Sequence, residues 1–154
     1  MQEVPIRARV VSVLVVRRTQ EGPQFLLMLR ASQRFNGIWC QVAGSIESGE
    51  TAWQAALREI REETNLIPEA FYNTDRLEQF YSASDNLIEL IPLFVAFVST
   101  GAEVTLNHEH SEYRWVSATE ALEMLPFPPQ RENIRHVQRE FLERTPSELL
   151  RILF

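Results

Sequence analysis

The chain has 154 residues, 45% of them hydrophobic, one cysteine and a formal charge of −6 at pH 7. That length suits one domain, residues 1–154, with a genuine core, and the lone Cys40 excludes an internal disulfide and fits a reducing, cytoplasmic setting. The acidic balance argues against binding a nucleic acid polymer through its phosphates, and no run of about 18 apolar residues is present to cross a membrane.

The start, MQEVPIRARVV, lacks signal-peptide architecture and runs into residues 7–18 (RARVVSVLVVRR), whose valines read as a long buried strand. A turn at 19–23 leads to a hairpin partner at 24–30 (QFLLMLR). After the loop 31–37, residues 38–42 form a short strand that delivers the chain to Gly44. A helix begins near Ser48–Thr51, where Thr51 and Gln54 have capping-box spacing, and ends by Asn65, before Pro68. Strands are expected at 76–82 and at 87–99, where Pro92 suggests a bulge or an edge; 103–106 and 112–116 are shorter candidates. Ser117 and Glu120 then cap a helix over ATEALEML. Pro126-Phe127-Pro128-Pro129 reads as a rigid connector, 130–143 as an amphipathic helix, and 145–154 as a short helix. Its Leu149, Leu150 and Leu153 would pack on the body or on a second subunit of a homodimer. Strands interleaved with helices make the fold α/β.

The helix near residues 51–65 carries an unusual end. At about 100° per residue, Glu59, Glu62 and Glu63 form a ridge beside the apolar stripe of Trp53, Ala56, Leu57 and Ile60. Like charges at i, i+4 repel, and carboxylates at a helix C-terminus oppose the macrodipole. A solvated acidic face with Arg58 and Arg61 as partners would account for this blandly. A divalent cation would relieve it further, and clustered hard oxygens suit Mg²⁺ or Mn²⁺.

The spacing from Gly44 to Leu66 favours the second account. Gly44, five residues, Glu50, seven residues, Arg58-Glu59-Ile60, one residue, Glu62-Glu63, one residue, Asn65-Leu66 resembles the Nudix box. One fixed position departs: Asn65 stands for the final glycine, and Asn is the next-best residue for a left-handed helix terminus. The resemblance implies a Nudix-type mixed β-sheet sandwiched between α-helices. It implies that Glu59, Glu62 and Glu63 bind Mg²⁺ or Mn²⁺, that Gly44 offers its carbonyl to the metal, and that Arg58 fixes a carboxylate. Glu59 would also orient or deprotonate water, with Arg58, Glu59 and Glu62 as the catalytic group, while Glu47 would brace the loop.

Around residues 107–116, Glu109-His110-x-x-Tyr113-Arg114-Trp115 is similar to a segment of two Nudix subgroups, dihydroneopterin triphosphate or dATP pyrophosphohydrolases and dinucleoside tetraphosphate hydrolases. There a glutamate reaches the metal from outside the box, and Glu109 holds that position. His108 and His110 give no complete zinc set. The segment Trp39–Ser45 is closer to the first subgroup. Arg30, Arg34, Phe35 and Trp39, just before the box, would contact phosphate or base; each is equally readable as a surface arginine or a packed aromatic. The implied reaction is Mg²⁺-dependent cleavage of a nucleoside or pterin triphosphate to monophosphate and pyrophosphate. A dinucleoside polyphosphate hydrolase is the alternative, and a non-catalytic nucleotide-binding module a lesser one.

Overall fold

A computed structural model describes all 154 residues. Its eight strands are β1 (Ile6–Arg7), β2 (Val10–Thr19), β3 (Gly22–Arg30), β4 (Trp39–Cys40), β5 (Val42–Ser45), β6 (Ala70–Ser82), β7 (Leu87–Phe97) and β8 (His110–Val116), joined into one mixed sheet. The helices are α1 (Ala52–Thr64), α2 (Ala118–Met124) and α3 (Pro128–Val137). No helix is long and apolar enough to cross a membrane.

Strand β2 organises the sheet. It runs parallel to β7 and antiparallel to two partners in succession, β5 along Val10–Val13 and β3 along Val16–Thr19. Its side chains alternate between faces, as strand geometry requires. Val11, Val13 and Val15 join a core with Ala55, Ala56 and Ile60 of α1. Leu14 and Val16 join the opposite core with Ala121 of α2 and Ile134 and Val137 of α3. Both faces are therefore covered by helices, the sandwich expected of the Nudix fold. Truncating the fully buried Ile60 to Ala would cost about 2–5 kcal/mol.

Both capping boxes form: Thr51 with Gln54 and Ser117 with Glu120 each exchange side-chain and backbone hydrogen bonds. Asn65 ends α1 in the left-handed conformation (φ 59°), its N–H donating to the Arg61 carbonyl, so it does what the family glycine would do there.

Several expected boundaries move. Strand β6 begins at Ala70 rather than 76, and β8 at His110 rather than 112. Residues 103–106 form no strand, although Thr105 N–H donates to the Thr64 carbonyl. Pro92 pairs with Leu77 of β6 beside an irregularity of that ladder, which jumps from Asn73↔Phe94 to Leu77↔Pro92. On its other side it falls between the residues paired to β1 (Ile88, Glu89) and those paired to β2 (from Leu93). The connector helps to build α3, which starts at Pro128, because proline's fixed φ suits a first helical turn. Beyond α3 the chain makes a π-helical turn over Gln138–Leu142.

Residues 145–154 are not a helix beyond one 3₁₀ turn, Glu148–Leu150. Ile152 N–H instead donates to the Phe71 carbonyl, and Phe154 packs edge-on against Phe71. Leu150 packs inward, but Leu149 and Leu153 are 96% and 82% exposed, so of the two alternatives neither of these docks on the body.

Candidate active site

The site is assembled by α1, the loop before it and the start of β8. Gly49 (φ 87°) turns the loop so that Glu50 reaches back to the Glu47 N–H (2.8 Å) and forward to Arg58. Arg58 meets both Glu50 oxygens through Nη2 and Nε (2.7 and 3.1 Å), a fork that only a planar guanidinium provides. The same side chain donates to Glu59 Oε1 (2.8 Å), Glu62 Oε2 (3.2 Å) and the Ser45 carbonyl (2.8 Å). Arg58 is thus a hub that clamps loop to helix. It holds the Glu50 carboxyl below its ordinary range, while Glu50 in turn keeps Arg58 firmly charged. Glu47 is mostly exposed and stands 3.8 Å from Arg58, at the margin of this network.

Glu59 lies directly over the backbone of Gly44. A Cβ at position 44 would fall 2.0 Å from Glu59 Oε1, so the absence of a side chain there gives the carboxylate its place. Burial pushes the Glu59 carboxyl up, and Arg58 pulls it partly back.

Glu63 faces inward and is 2% exposed. Burial, with the charges of Glu59 and Glu109, pushes its carboxyl up to about 9, and the Ala43 N–H offsets only part of this. Its Oε2 is buried without a hydrogen-bond partner. Glu109 is brought to it by Ala31 N–H, which donates to the Glu109 carbonyl (2.8 Å), and by Asn107 Oδ1, which accepts from the Glu109 N–H (3.1 Å). The β3–β8 ladder shifts register between Leu29↔Glu112 and Arg30↔His110, leaving Ser111 as the extra residue of a bulge. Bulges re-aim neighbouring side chains. Here ligand atoms of Glu63, Glu109 and His110 all lie within 4.8 Å of one another.

Such a cluster fits a divalent cation. Two carboxylates converge, one oxygen of the deeper one lacks a partner, and burial disfavours its charged form unless a cation offsets it. His110 is the member that sequence reasoning assigned no role. Its Nδ1 is buried without a partner, its Nε2 is 3.6 Å from Cys40 Sγ, and burial lowers its pKa, so a neutral imidazole is favoured. Only the bulge after Arg30 places it there, and bulges leave little trace in sequence. His108 is outside the cluster.

A cavity of about 420 Å³ adjoins the cluster through Arg30, Cys40 and Ala43. Of the four residues expected to meet substrate, Arg30, Arg34 and Phe35 line it. Trp39 does not: it packs towards the α2–α3 core, under the guanidinium of Arg114 at 4.8 Å. Cys40, the next residue along the strand, points the other way and lines the cavity, where Trp39 is absent from the lining. Phe127, from the connector, completes an edge-to-face pair with Phe35 (5.6 Å between ring centres). Burial pushes the Cys40 thiol up to about 12, which keeps it protonated and inert.

The chain belongs to the Nudix family: the NUDIX domain model matches residues 7–144. It is a Nudix hydrolase. An octanoyltransferase of Myxococcus xanthus is 33% identical over 140 residues, 86% of this chain, but the match spans only 37% of that longer protein. The nucleoside triphosphatase NudI of Klebsiella pneumoniae is 34% identical over 103 residues (61% of this chain, 73% of the relative). An asymmetrical bis(5'-nucleosyl)-tetraphosphatase of Caenorhabditis elegans is 28% identical over 115 residues (74% and 83%). Among solved structures, the E. coli dihydroneopterin triphosphate pyrophosphohydrolase superposes with a TM-score of 0.66 at 26% identity, covering 86% of this chain and 94% of that one. The family and fold are as the box implied, while relatives of both expected subgroups appear.

Proposed function

We propose that this protein is a Mg²⁺- or Mn²⁺-dependent pyrophosphohydrolase that converts a nucleoside triphosphate or a pterin triphosphate into the monophosphate and pyrophosphate. The observation that carries the reading is the convergence of Glu63 and Glu109 beside the cavity that Arg30, Cys40 and Ala43 line, with Glu59 and Glu62 along the same helix. The similarity to NudI and to the dihydroneopterin triphosphate enzyme supports a triphosphate substrate.

Glu63 and Glu109 would hold the cation, with Glu59, Glu62 and the Gly44 carbonyl completing its surroundings. Members of the family generally need a divalent metal, which neutralises polyphosphate charge and makes water more acidic. This chain's residues supply the rest. Arg58 fixes Glu59 and Glu62 in place; Glu59, raised by burial, is suited to take a proton from the attacking water. Arg30 and Arg34 bring positive charge to the cavity mouth, where the outer phosphates would lie.

The test is a substrate panel: dATP, dGTP, dihydroneopterin triphosphate and diadenosine tetraphosphate, each with Mg²⁺, products resolved by ion exchange. The proposal expects pyrophosphate and a monophosphate from at least one triphosphate, with kcat/KM at least tenfold above that for the tetraphosphate. A reversed ranking would make this a dinucleoside polyphosphate hydrolase. Nucleotide binding without any turnover would make it a binding module.

A further inference from the structure

Resting on the triphosphate reading, we propose that the cavity recognises one heterocycle edge, the ring N–H next to an exocyclic amino group that guanine and pterins share. The floor of the cavity is built from polar groups that are almost wholly buried. Glu78, on β6, is 6% exposed and Gln41, between β4 and β5, is 4% exposed. Glu78 Oε1 accepts from Asn133 Nδ2 (2.7 Å) and from Gln41 Nε2 (3.4 Å), while no protein group donates to its Oε2.

The orientations of both amides follow from their partners. Arg76 Nε donates to Asn133 Oδ1 (3.0 Å), which turns Nδ2 of that amide towards Glu78. Gln41 Nε2 also donates to Ser12 Oγ (2.8 Å), which leaves Gln41 Oε1 buried and without a partner. Gln130 Oε1, at the start of α3, is buried and unpartnered in the same cavity. Three lining residues therefore carry oxygens to which no protein group donates: Glu78 Oε2, Gln41 Oε1 and Gln130 Oε1. A buried acceptor left unpaired costs about 1–3 kcal/mol, so the ligand that fits must bring donors.

Base edges differ in what they bring. Adenine and cytosine offer one amino group beside a ring nitrogen whose lone pair would face the carboxylate. Uracil and thymine offer one N–H between two carbonyl oxygens. Guanine and pterins place two donors side by side, and so bring two donors to a lining whose residues carry unpaired acceptors. The side walls suit a flat ring: Phe35, Phe80 and Phe127 line the cavity, and its volume of about 420 Å³ is of small-ligand size.

Titration calorimetry in EDTA tests this independently of hydrolysis, with dGMP, dihydroneopterin monophosphate, dIMP (which lacks the amino group) and dAMP. We expect dGMP or dihydroneopterin monophosphate to bind at least tenfold more tightly than dIMP and dAMP, because a site built around a donor rejects the analogue lacking it. The tighter of the first two identifies the source of the edge. In Glu78→Gln the preference should shrink to about threefold or less, with the melting curve reporting whether the variant folds. If it does not fold, Gln130→Leu replaces it and should weaken dGMP at least threefold more than it weakens dAMP. Binding of dAMP equal to that of dGMP, a preference untouched by the folded variant, or no binding of any ligand would overturn the proposal. A guanine or pterin preference in a protein that hydrolyses no triphosphate would leave this assignment standing and remove the reaction proposed above.

Discussion

Gly44 and Glu59 compete for one volume: a side chain on the first would stand 2.0 Å from Oε1 of the second. The glycine lies on a strand and the glutamate on a helix, fifteen residues on, so the contact is made only by the loop that folds α1 back over β5. Gly44 has no left-handed φ, so alanine fits its backbone and only the carboxylate must move. Gly44→Ala should therefore lower kcat about tenfold to a hundredfold, the order expected for an ångström of misplacement. The melting temperature should shift by only a few degrees. Unfolding of the variant, or unchanged kcat, would show that the clearance is not what the glycine provides.

Arg58 gives a sharper test of geometry against charge. Lysine keeps the charge but cannot reach Glu50 with two donors while holding Glu59, Glu62 and the Ser45 carbonyl. Arg58→Lys should cost at least tenfold in kcat and about 1–3 kcal/mol in stability, since a partly buried hydrogen-bond hub is lost. Denaturant unfolding and steady-state kinetics measure the two parts separately.

Glu63 links stability to pH. Its carboxyl is raised from 4.5 to about 9, so in metal-free protein the folded state keeps a proton that the unfolded chain has released. The sign is that stability is fully present below pH 4.5 and is lost as pH rises through about 9. Melting in EDTA should fall from pH 6 to pH 8 by on the order of 5 °C. Mg²⁺ or Mn²⁺ should recover it at pH 8, and Glu63→Gln should flatten the slope. A melting temperature that rises over this interval would contradict the assignment of Glu63 as a buried, charge-starved carboxyl.

Phe35 lines the cavity and Trp39 does not. Phe127→Ala or Phe35→Ala should raise KM about three- to tenfold, because a stacking face is lost. Trp39→Phe should leave KM within about twofold, since its ring lies under Arg114 and outside the cavity lining. A large KM change for Trp39→Phe with unchanged stability would return it to the substrate site.

What could be read from sequence divides along the range of the interactions. The two capping boxes, Asn65 as a left-handed terminus and the alternating faces of β2 are local patterns, and each forms. The Nudix spacing encodes contacts between nearby turns, such as the Glu50–Arg58 fork eight residues apart. His110 was out of reach because a bulge of one residue decides where it points. Trp39 was misplaced because the phase of a two-residue strand cannot be read from neighbours that are all mixed in character. Leucines at 149, 150 and 153 suggested a packed helix, but Ile152 pairs with Phe71 and turns two of them outward. The cavity lining joins Gln41, Glu78 and Gln130 from three distant parts of the chain, which no local pattern brings together.

The most direct measurement is pyrophosphate release from a triphosphate substrate by Glu59→Gln alongside the unmodified protein, with Mg²⁺ and with EDTA. The account predicts release that needs Mg²⁺ and falls at least a hundredfold in the variant, which keeps the shape of Glu59 and its place over Gly44 but loses its charge. Release by Glu59→Gln at the unmodified rate, or undiminished release in EDTA, would contradict it.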